Sequence, residues 1–287
     1  MSIFNLGSIN ADHIYRVPHL PAPGETLAAT DFTTELGGKG ANQSVAAARA
    51  GATVNHIGAV GSDGNWALTA LADYGVKTGG VRITERPTAH AIINVDASGE
   101  NAIVIYPGAN ENQSLNSVLE TLHAAKPGDI LLLQNETDLQ SETAEHARSL
   151  GMFVIYSAAP FNAKAVRTML PLVDLLVMNL GEYRALSAEF ATQSFPDLLI
   201  TKGADGATWK SAKGDTETAA FPVTPVDTTG AGDCFIGTLA AGLDQGLNRA
   251  AAMLRAAAAS AIQVTRPGTA AAIPTRIEVD AFLKARA

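Results

Sequence analysis

The sequence predicts a three-layer α/β/α sandwich with a mainly parallel central sheet, plus a small β-sheet lid. Three observations carry that expectation. Short apolar runs alternate with helical patterns along the chain, as expected of parallel strands joined by crossover helices. Two strand-like runs around a turn-rich joint interrupt the alternation. With 287 residues and 47% hydrophobic content, the chain also carries enough apolar side chains for a substantial core.

In chain order, residues 3–6 read as the first buried strand, and residues 12–15 and 26–32 as strands of the lid. A helix is expected over 41–50, a strand over 54–60 and a helix over 65–74. The runs 90–96 and 102–106 flank Ala97-Ser98-Gly99-Glu100-Asn101, whose turn formers make a β-hairpin. Lid segments are therefore expected at about 11–32 and 89–107, within a single domain spanning 1–287. Apolar runs at 130–133, 153–156, 175–178 and 198–201 read as further buried strands, with a helix over 140–150. Residues 230–243 and 249–264 read as the last helices, and the alanine-rich stretch 250–272 suits tight packing. Phosphoryl transfer needs a lid to exclude water, although an edge extension or a dimer surface would have the same pattern.

The formal charge of −8 and the lack of Lys/Arg runs argue against a nucleic-acid surface. An acidic protein that binds an anionic nucleotide must supply positive potential locally, from backbone amides, an occasional Lys or a metal ion. Cys234 is the only cysteine, which excludes an intrachain disulfide and a thiolate zinc cluster and suits a reducing cytoplasm. Its place early in an amphipathic helix makes it a packing residue. No signal-like N-terminus and no window of about 18 apolar residues is present, so the expectation is a soluble protein with no membrane partner. The glycosylation sequons at Asn42, Asn112 and Asn135 are then chance matches.

Asp227-Thr228-Thr229-Gly230-Ala231-Gly232-Asp233 is the most informative stretch. It sets a glycine-rich helix start beside a carboxylate. The first N–H groups of a helix lack partners within it, and with the helix dipole they cradle phosphate oxygens. Glycines let an anion approach the backbone, and Asp233 can take a proton from an attacking hydroxyl. The same residues would also serve as a plain helix cap.

Leu36-Gly37-Gly38-Lys39-Gly40-Ala41-Asn42-Gln43 is a second glycine-rich helix start, with Lys39 and Asn42 on one helical face. Lys donates, Asn donates and accepts, and this suits a polyol. The pattern is not a P-loop. Asn10 and Asp12 follow the first strand, and Glu136 follows the strand at 130–133, where open α/β sheets bind ligands. Asn179 and Glu182 follow 175–178 and could hold magnesium-bound water or simply cap a helix. Thr201-Lys202-Gly203-Ala204-Asp205-Gly206 offers a turn with free backbone groups for a phosphate. The six histidines show neither zinc-ligand nor triad spacing, and no G-x-G-x-x-G follows the first strand.

In order and content, G-S-I-N-A-D-H at 7–13, G-G-K-G-A-N-Q at 37–43, N-x-x-E at 179–182 and D-T-T-G-A-G-D at 227–233 resemble the phosphofructokinase-B-type (PfkB) carbohydrate kinases, the ribokinase family. The resemblance runs over nearly the whole chain. It implies a ribokinase-like fold and ATP-dependent phosphorylation of a terminal hydroxyl, with ribose leading over other sugars and nucleosides. A catalytically silent sugar- or nucleotide-binding regulator is the reading from another class. By the resemblance, Asn10, Asp12, Gly38, Lys39, Asn42 and Glu136 hold the sugar, Asp233 is the base, and Gly230, Ala231 and Gly232 form the anion hole. Asn179 and Glu182 serve magnesium and phosphate, while Thr201, Lys202, Gly203 and Gly206 line the nucleotide side. A monovalent cation would use Asp227, the Thr229 carbonyl and a loop at 266–272. Ala272 stands where a Ser ligand is common, which puts potassium in doubt. The stretch 183–196 is shorter than the pattern leads one to expect. A homodimer through the lid sheet is expected.

Overall fold

The computed structural model describes residues 1–189 and 196–286, so residues 190–195 of the short stretch noted above lie outside the described residues. Its strands are β1 (Ile3–Leu6), β2 (Asn10–Arg16), β3 (Asp31–Gly37), β4 (Val54–Gly61), β5 (Lys77–Thr84), β6 (Ala89–Val95), β7 (Asn101–Tyr106), β8 (Ile130–Gln134), β9 (Phe153–Ser157), β10 (Leu175–Asn179), β11 (Asp197–Thr201), β12 (Ala207–Lys210) and β13 (Thr216–Thr218). Its helices are α1 (Lys39–Arg49), α2 (Asn65–Asp73), α3 (Leu115–Leu122), α4 (Gln140–Ser149), α5 (Ala163–Met169), α6 (Leu180–Glu189), α7 (Ala231–Asp244), α8 (Arg249–Gln263) and α9 (Arg276–Lys284).

Nine strands form the central sheet in the order β13-β12-β11-β10-β9-β8-β1-β4-β5. Pairing is parallel from β11 to β5, and β12 and β13 extend one edge antiparallel. Alternate side chains of a strand point to opposite faces, and the core divides accordingly. Ile3, Ile130, Leu132, Ile155, Leu175 and Val177 meet Val45 of α1, Leu239 of α7 and Ala256 of α8. Phe4, Leu6, Leu131, Leu133, Val154, Tyr156 and Leu176 meet Val118 of α3, Ala144 of α4, Val166 of α5 and Leu186 of α6. Burial on both faces explains why these strands read as unbroken apolar runs. The result is the expected three-layer sandwich.

A separate four-stranded sheet has the order β3-β2-β6-β7. The hairpin expected at 90–96 and 102–106 is β6 and β7, paired antiparallel from His90↔Tyr106 to Val95↔Asn101. One lid strand requires correction. The strand expected at 26–32 forms instead at β3, Asp31–Gly37, so the small sheet reaches beyond residue 32. Its first four residues are exposed, and what fixes it is antiparallel pairing with β2 from Asn10↔Gly37 to Arg16↔Asp31. Among the described residues no helix is long and apolar enough to cross a membrane.

This topology places the loops after β1, β8, β10 and β11 at one edge of the sheet, because these strands run parallel and end together. The chain leaves β1 at Leu6 and enters β2 at Asn10, so the four-stranded sheet rises directly from that edge.

Candidate active site

The start of α1 is pressed against the loop after β1 by a pair of glycines. A Cβ at Gly40 would lie 2.3 Å from the Gly7 Cα, and one at Gly7 would lie 2.5 Å from the Gly40 Cα. Only side-chain-free backbone can approach this closely. The contact lets the Ser8 carbonyl accept the Ala41 N–H at 2.8 Å and the Ser8 hydroxyl accept the Gly40 N–H at 3.1 Å. That hydroxyl donates in turn to Glu136 Oε2 at 2.5 Å, which also accepts the Lys39 N–H at 3.1 Å. Lys39 Nζ stands 4.0 Å from Glu136 Oε1. The motifs after β1, at the head of α1 and after β8 are thus one hydrogen-bonded unit.

Asp12 joins it from β2. A Cβ at Gly37 would fall 1.9 Å from Asp12 Oδ2, so Gly37 is glycine because the carboxyl occupies that space. Burial pushes the Asp12 carboxyl up to about 7, Glu136 and Glu35 add repulsion, and Lys39 opposes them. At Lys39, burial alone would lower the ammonium's pKa. The carboxylates of Asp233, Glu136, Glu182 and Asp12 outweigh it and hold the group above the ordinary lysine value.

Asp233 enters from the first turn of α7, whose N-cap Gly230 has φ 75°, a left-handed conformation that suits glycine. Asp233 is buried; its Oδ1 accepts from Gln43 Nε2 at 2.9 Å and its Oδ2 faces Asn42 Nδ2 at 3.5 Å. Burial raises this carboxyl to about 6, against the Lys39 charge and the Gln43 hydrogen bond, with Glu136 adding to the rise and Asn42 opposing it. A Cβ at Gly232 would meet nothing within 4 Å, so space is open before that turn. The Ala231 N–H points back to the Thr228 carbonyl at 3.3 Å, a long bond that an anion at the helix end would replace. Cys234 is buried and its thiol is pushed up to about 12 by burial, as befits a packing residue.

The remaining sequence candidates gather at β10 and β11, where Asn179 pairs with Thr201. With adjacent strands about 5 Å apart, β10 lies roughly 10 Å from β8 along the same edge. Asn179 Oδ1 accepts the Glu182 N–H at 2.9 Å and Glu182 Oε2 accepts the Asn179 N–H at 2.8 Å, a reciprocal cap on α6. These hard oxygens fit magnesium through water, since both side chains also hold the cap. The Lys202 N–H donates to the Gly206 carbonyl at 2.8 Å, and Lys202 Nζ stands 4.0 Å from Glu217. Gly203 and Gly206 have φ 59° and 85°, and a Cβ at Gly206 would fall 2.1 Å from the Thr218 carbonyl oxygen, so Gly206 is also required by the packing of β13.

The oxygens implied for a monovalent cation each accept an N–H already, and the loop supplies fewer of them than the resemblance implies. Asp227 Oδ1 accepts the Thr229 N–H at 2.9 Å and Oδ2 accepts the Gly268 N–H at 3.1 Å. The Thr229 carbonyl accepts Gln263 Nε2 at 3.0 Å, and the Arg266 guanidinium reaches the Ala272 carbonyl at 3.4 Å. Ala272 brings a methyl group instead of a hydroxyl. A cation there would meet one oxygen fewer and the Arg266 guanidinium beside the Ala272 carbonyl, both of which weaken the site.

Sequence reasoning missed three residues of this site. Asn110 Nδ2 donates to Asn10 Oδ1 at 2.8 Å while its Oδ1 accepts the Ile9 N–H. Ser8 ties β1 to Glu136, and Gln43 reaches Asp233. Gln43 lies within a quoted motif, whereas Asn110 has no local signal because its partner is 100 residues away. A cavity of about 740 Å³ opens beside the group, lined by Asn10, Asn110 and Glu136 and, further out, by Ile105, Pro160 and Phe161.

Comparison with known proteins gives a consistent picture. The pfkB family carbohydrate kinase pattern matches residues 2–276. The ribokinase of Haemophilus influenzae is 37% identical to this chain, with 97% of each covered. The crystal structure of ribokinase from Thermotoga maritima superposes with a TM-score of 0.89 at 32% identity, covering 99% of both chains. The structure of Arabidopsis thaliana ribokinase complexed with ribose and ATP superposes with a TM-score of 0.87 at 27% identity, covering 99% of this chain and 98% of that one.

Proposed function

The chain belongs to the pfkB family of carbohydrate kinases, and we propose that its acceptor is D-ribose, phosphorylated on the terminal hydroxyl to ribose 5-phosphate with ATP as donor. The observation that carries this reading is Asp233, a buried carboxylate at the head of a helix where Gly232 leaves open space for a phosphate. Asn42 Oδ1 is a buried acceptor with no partner among the described residues, as a sugar hydroxyl would require.

In this mechanism Asp12, Lys39, Asn42 and Glu136, with Asn10 braced by Asn110, orient the sugar against Asp233. Asp233 takes the hydroxyl proton as the new bond forms. The transition state is loose, so alignment and charge stabilisation matter more than a strong base. The N–H groups of Gly230, Ala231 and Gly232 face the transferred group, and Ala231 exchanges its bond to Thr228 for that contact. Asn179 and Glu182 would hold magnesium through water, which when bound offsets charge on the phosphates. Thr201, Lys202, Gly203 and Gly206 lie beyond them on the nucleotide side. A reducing cytoplasm supplies the ATP and suits a single cysteine.

A nucleoside is the second acceptor reading, because Ile105, Pro160 and Phe161 line the outer cavity and could receive a base. ADP release measured over pentoses, hexoses and nucleosides decides between them. Ribose should give the highest kcat/KM, and a nucleoside surpassing it would overturn the ribose assignment. Potassium should change turnover by less than about twofold when it replaces tetramethylammonium, since Ala272 offers no hydroxyl and Arg266 adds positive charge at the loop. A tenfold activation would show that these ligands rearrange around the ion.

The lid sheet pairs with a second copy in this reading. β7 is an edge strand with Ile103, Val104, Ile105 and Tyr106 all exposed, and an apolar edge left open invites association. Val104→Lys should convert a dimer to a monomer in sedimentation velocity. A monomeric wild type at micromolar concentration would remove the proposal.

A further inference from the structure

Behind Asp233 runs a buried chain of side-chain hydrogen bonds that the proton transfer itself does not use. Gln43 Oε1 accepts from Gln134 Nε2 at 2.7 Å, and the same Nε2 donates to Asn5 Oδ1 at 2.9 Å. Asn5 Nδ2 donates to the Gly40 carbonyl and to Ser44 Oγ, each at 2.8 Å. Ser44 Oγ lies 2.8 Å from His56 Nδ1, and His56 Nε2 lies 3.1 Å from the Gly7 carbonyl. Asn5, Gln43, Ser44, His56 and Gln134 are all fully buried.

The direction of every bond in this chain is forced from its far end. A backbone carbonyl only accepts, so His56 Nε2 carries the hydrogen toward Gly7 and Nδ1 is left as an acceptor. Burial pushes the His56 pKa down to about 4, so the ring is neutral at pH 7. The Ser44 hydroxyl must therefore donate to Nδ1, and its lone pairs accept from Asn5. The Gly40 carbonyl independently fixes the nitrogen end of Asn5. Asn5 Oδ1 then requires the nitrogen end of Gln134, whose second hydrogen meets Gln43 Oε1. Only one end of Gln43 remains to face Asp233, and it is the donor.

We propose that Gln43, oriented by Gln134 and Asn5, is a positioning residue for the base: it grips Asp233 Oδ1, favours the ionised carboxylate and leaves Oδ2 as the atom that takes the sugar's proton. A protonated Asp233 presenting its hydrogen at Oδ1 would oppose the Gln43 donor, and Gln43 cannot flip without breaking its bond to Gln134. The other charged groups that face Asp233 are Lys39 of α1 and Glu136 after β8, one on each side of the balance. The proposal rests on Asp233 as the base, so its test needs a readout independent of turnover.

The carboxyl carbons of the whole protein are labelled through aspartate, the Asp233 resonance is identified by its loss in Asp233→Asn, and its titration is followed by NMR. In Gln43→Met, which keeps the volume and removes the donor, the midpoint should move from near 6 to about 7. The kcat should fall about tenfold, with the sugar KM within about threefold and the acid limb of kcat displaced the same way. Gln134→Leu, which does not touch Asp233, should shift the midpoint in the same direction by less. Leu122→Ala, in the core on the opposite face of the sheet, serves as the stability control and should leave the midpoint in place. Should Gln43→Met not fold, Gln134→Leu decides alone. An unmoved midpoint in the folded variants overturns the proposal even where Asp233→Asn is inactive. A moved midpoint with an active Asp233→Asn supports the grip and removes the base.

Discussion

Asp233→Asn should lower kcat by about a hundredfold or more while the sugar KM changes by no more than a few fold. Asparagine keeps the shape, so Gln43 can still donate to its oxygen, but it cannot take a proton. Because the transition state is loose and the proton moves late, the loss falls at the lower end of general-base effects. In the wild type, kcat should fall as pH drops through about 6, where the raised Asp233 carboxyl protonates, and that limb should be absent from the residual activity of the variant. Stability should move the other way. A carboxyl whose folded pKa exceeds its unfolded value binds protons more tightly when folded, so its contribution declines from about pH 4 to about pH 6 and stays unfavourable above. Removing the charge should make Asp233→Asn as stable as the wild type or more so at pH 8, with a gain that shrinks below pH 6. Thermal melts at both pH values, set beside initial rates, separate chemistry from folding. Near-normal turnover in a folded variant would end the base assignment.

What the sequence revealed follows from where each signal is local. Strands buried on both faces, such as β8 and β10, appear as apolar runs, and the glycine-rich heads of α1 and α7 sit within a few residues of the side chains they serve. β3 escapes a local reading because its first four residues are exposed and its register is set by β2, across a long connection. β5, with two glycines and alternating polar residues, gives no apolar run and is held by β4. The same reason hides Gln43 and Asn110 as site residues, since their partners lie 190 and 100 residues away. The weakened cation loop is half legible. Ala272 signalled a missing oxygen, but nothing in the local pattern announced that Gln263 reaches the Thr229 carbonyl.

Asp12→Ala should act on binding, raising the sugar KM about a hundredfold with kcat within a few fold. A carboxylate accepting two hydroxyl protons makes charge-assisted bonds of about 1.5–3 kcal/mol each. Part of that is offset, because the empty site already sets Asp12 against Glu136 and Glu35, and alanine relieves the repulsion. A net loss of about 2.7 kcal/mol, a little below the roughly 3 kcal/mol that two such bonds supply at the least, corresponds to a factor of about 100. The raised Asp12 carboxyl also gives KM a pH dependence of definite sign. Below about pH 7 the group protonates and accepts fewer hydroxyls, so the wild-type KM should rise as pH falls, about one pH unit before the loss of kcat through Asp233. In Asp12→Ala the rise should disappear. Gly37→Ala tests the same contact without touching the carboxylate, since its Cβ would claim the space 1.9 Å from Asp12 Oδ2 and must push the group aside. It should reproduce much of the KM increase and little of any kcat change. If KM stays unchanged in Asp12→Ala for every sugar in the panel, Asp12 lies outside the sugar site and the lid contributes cover without recognition.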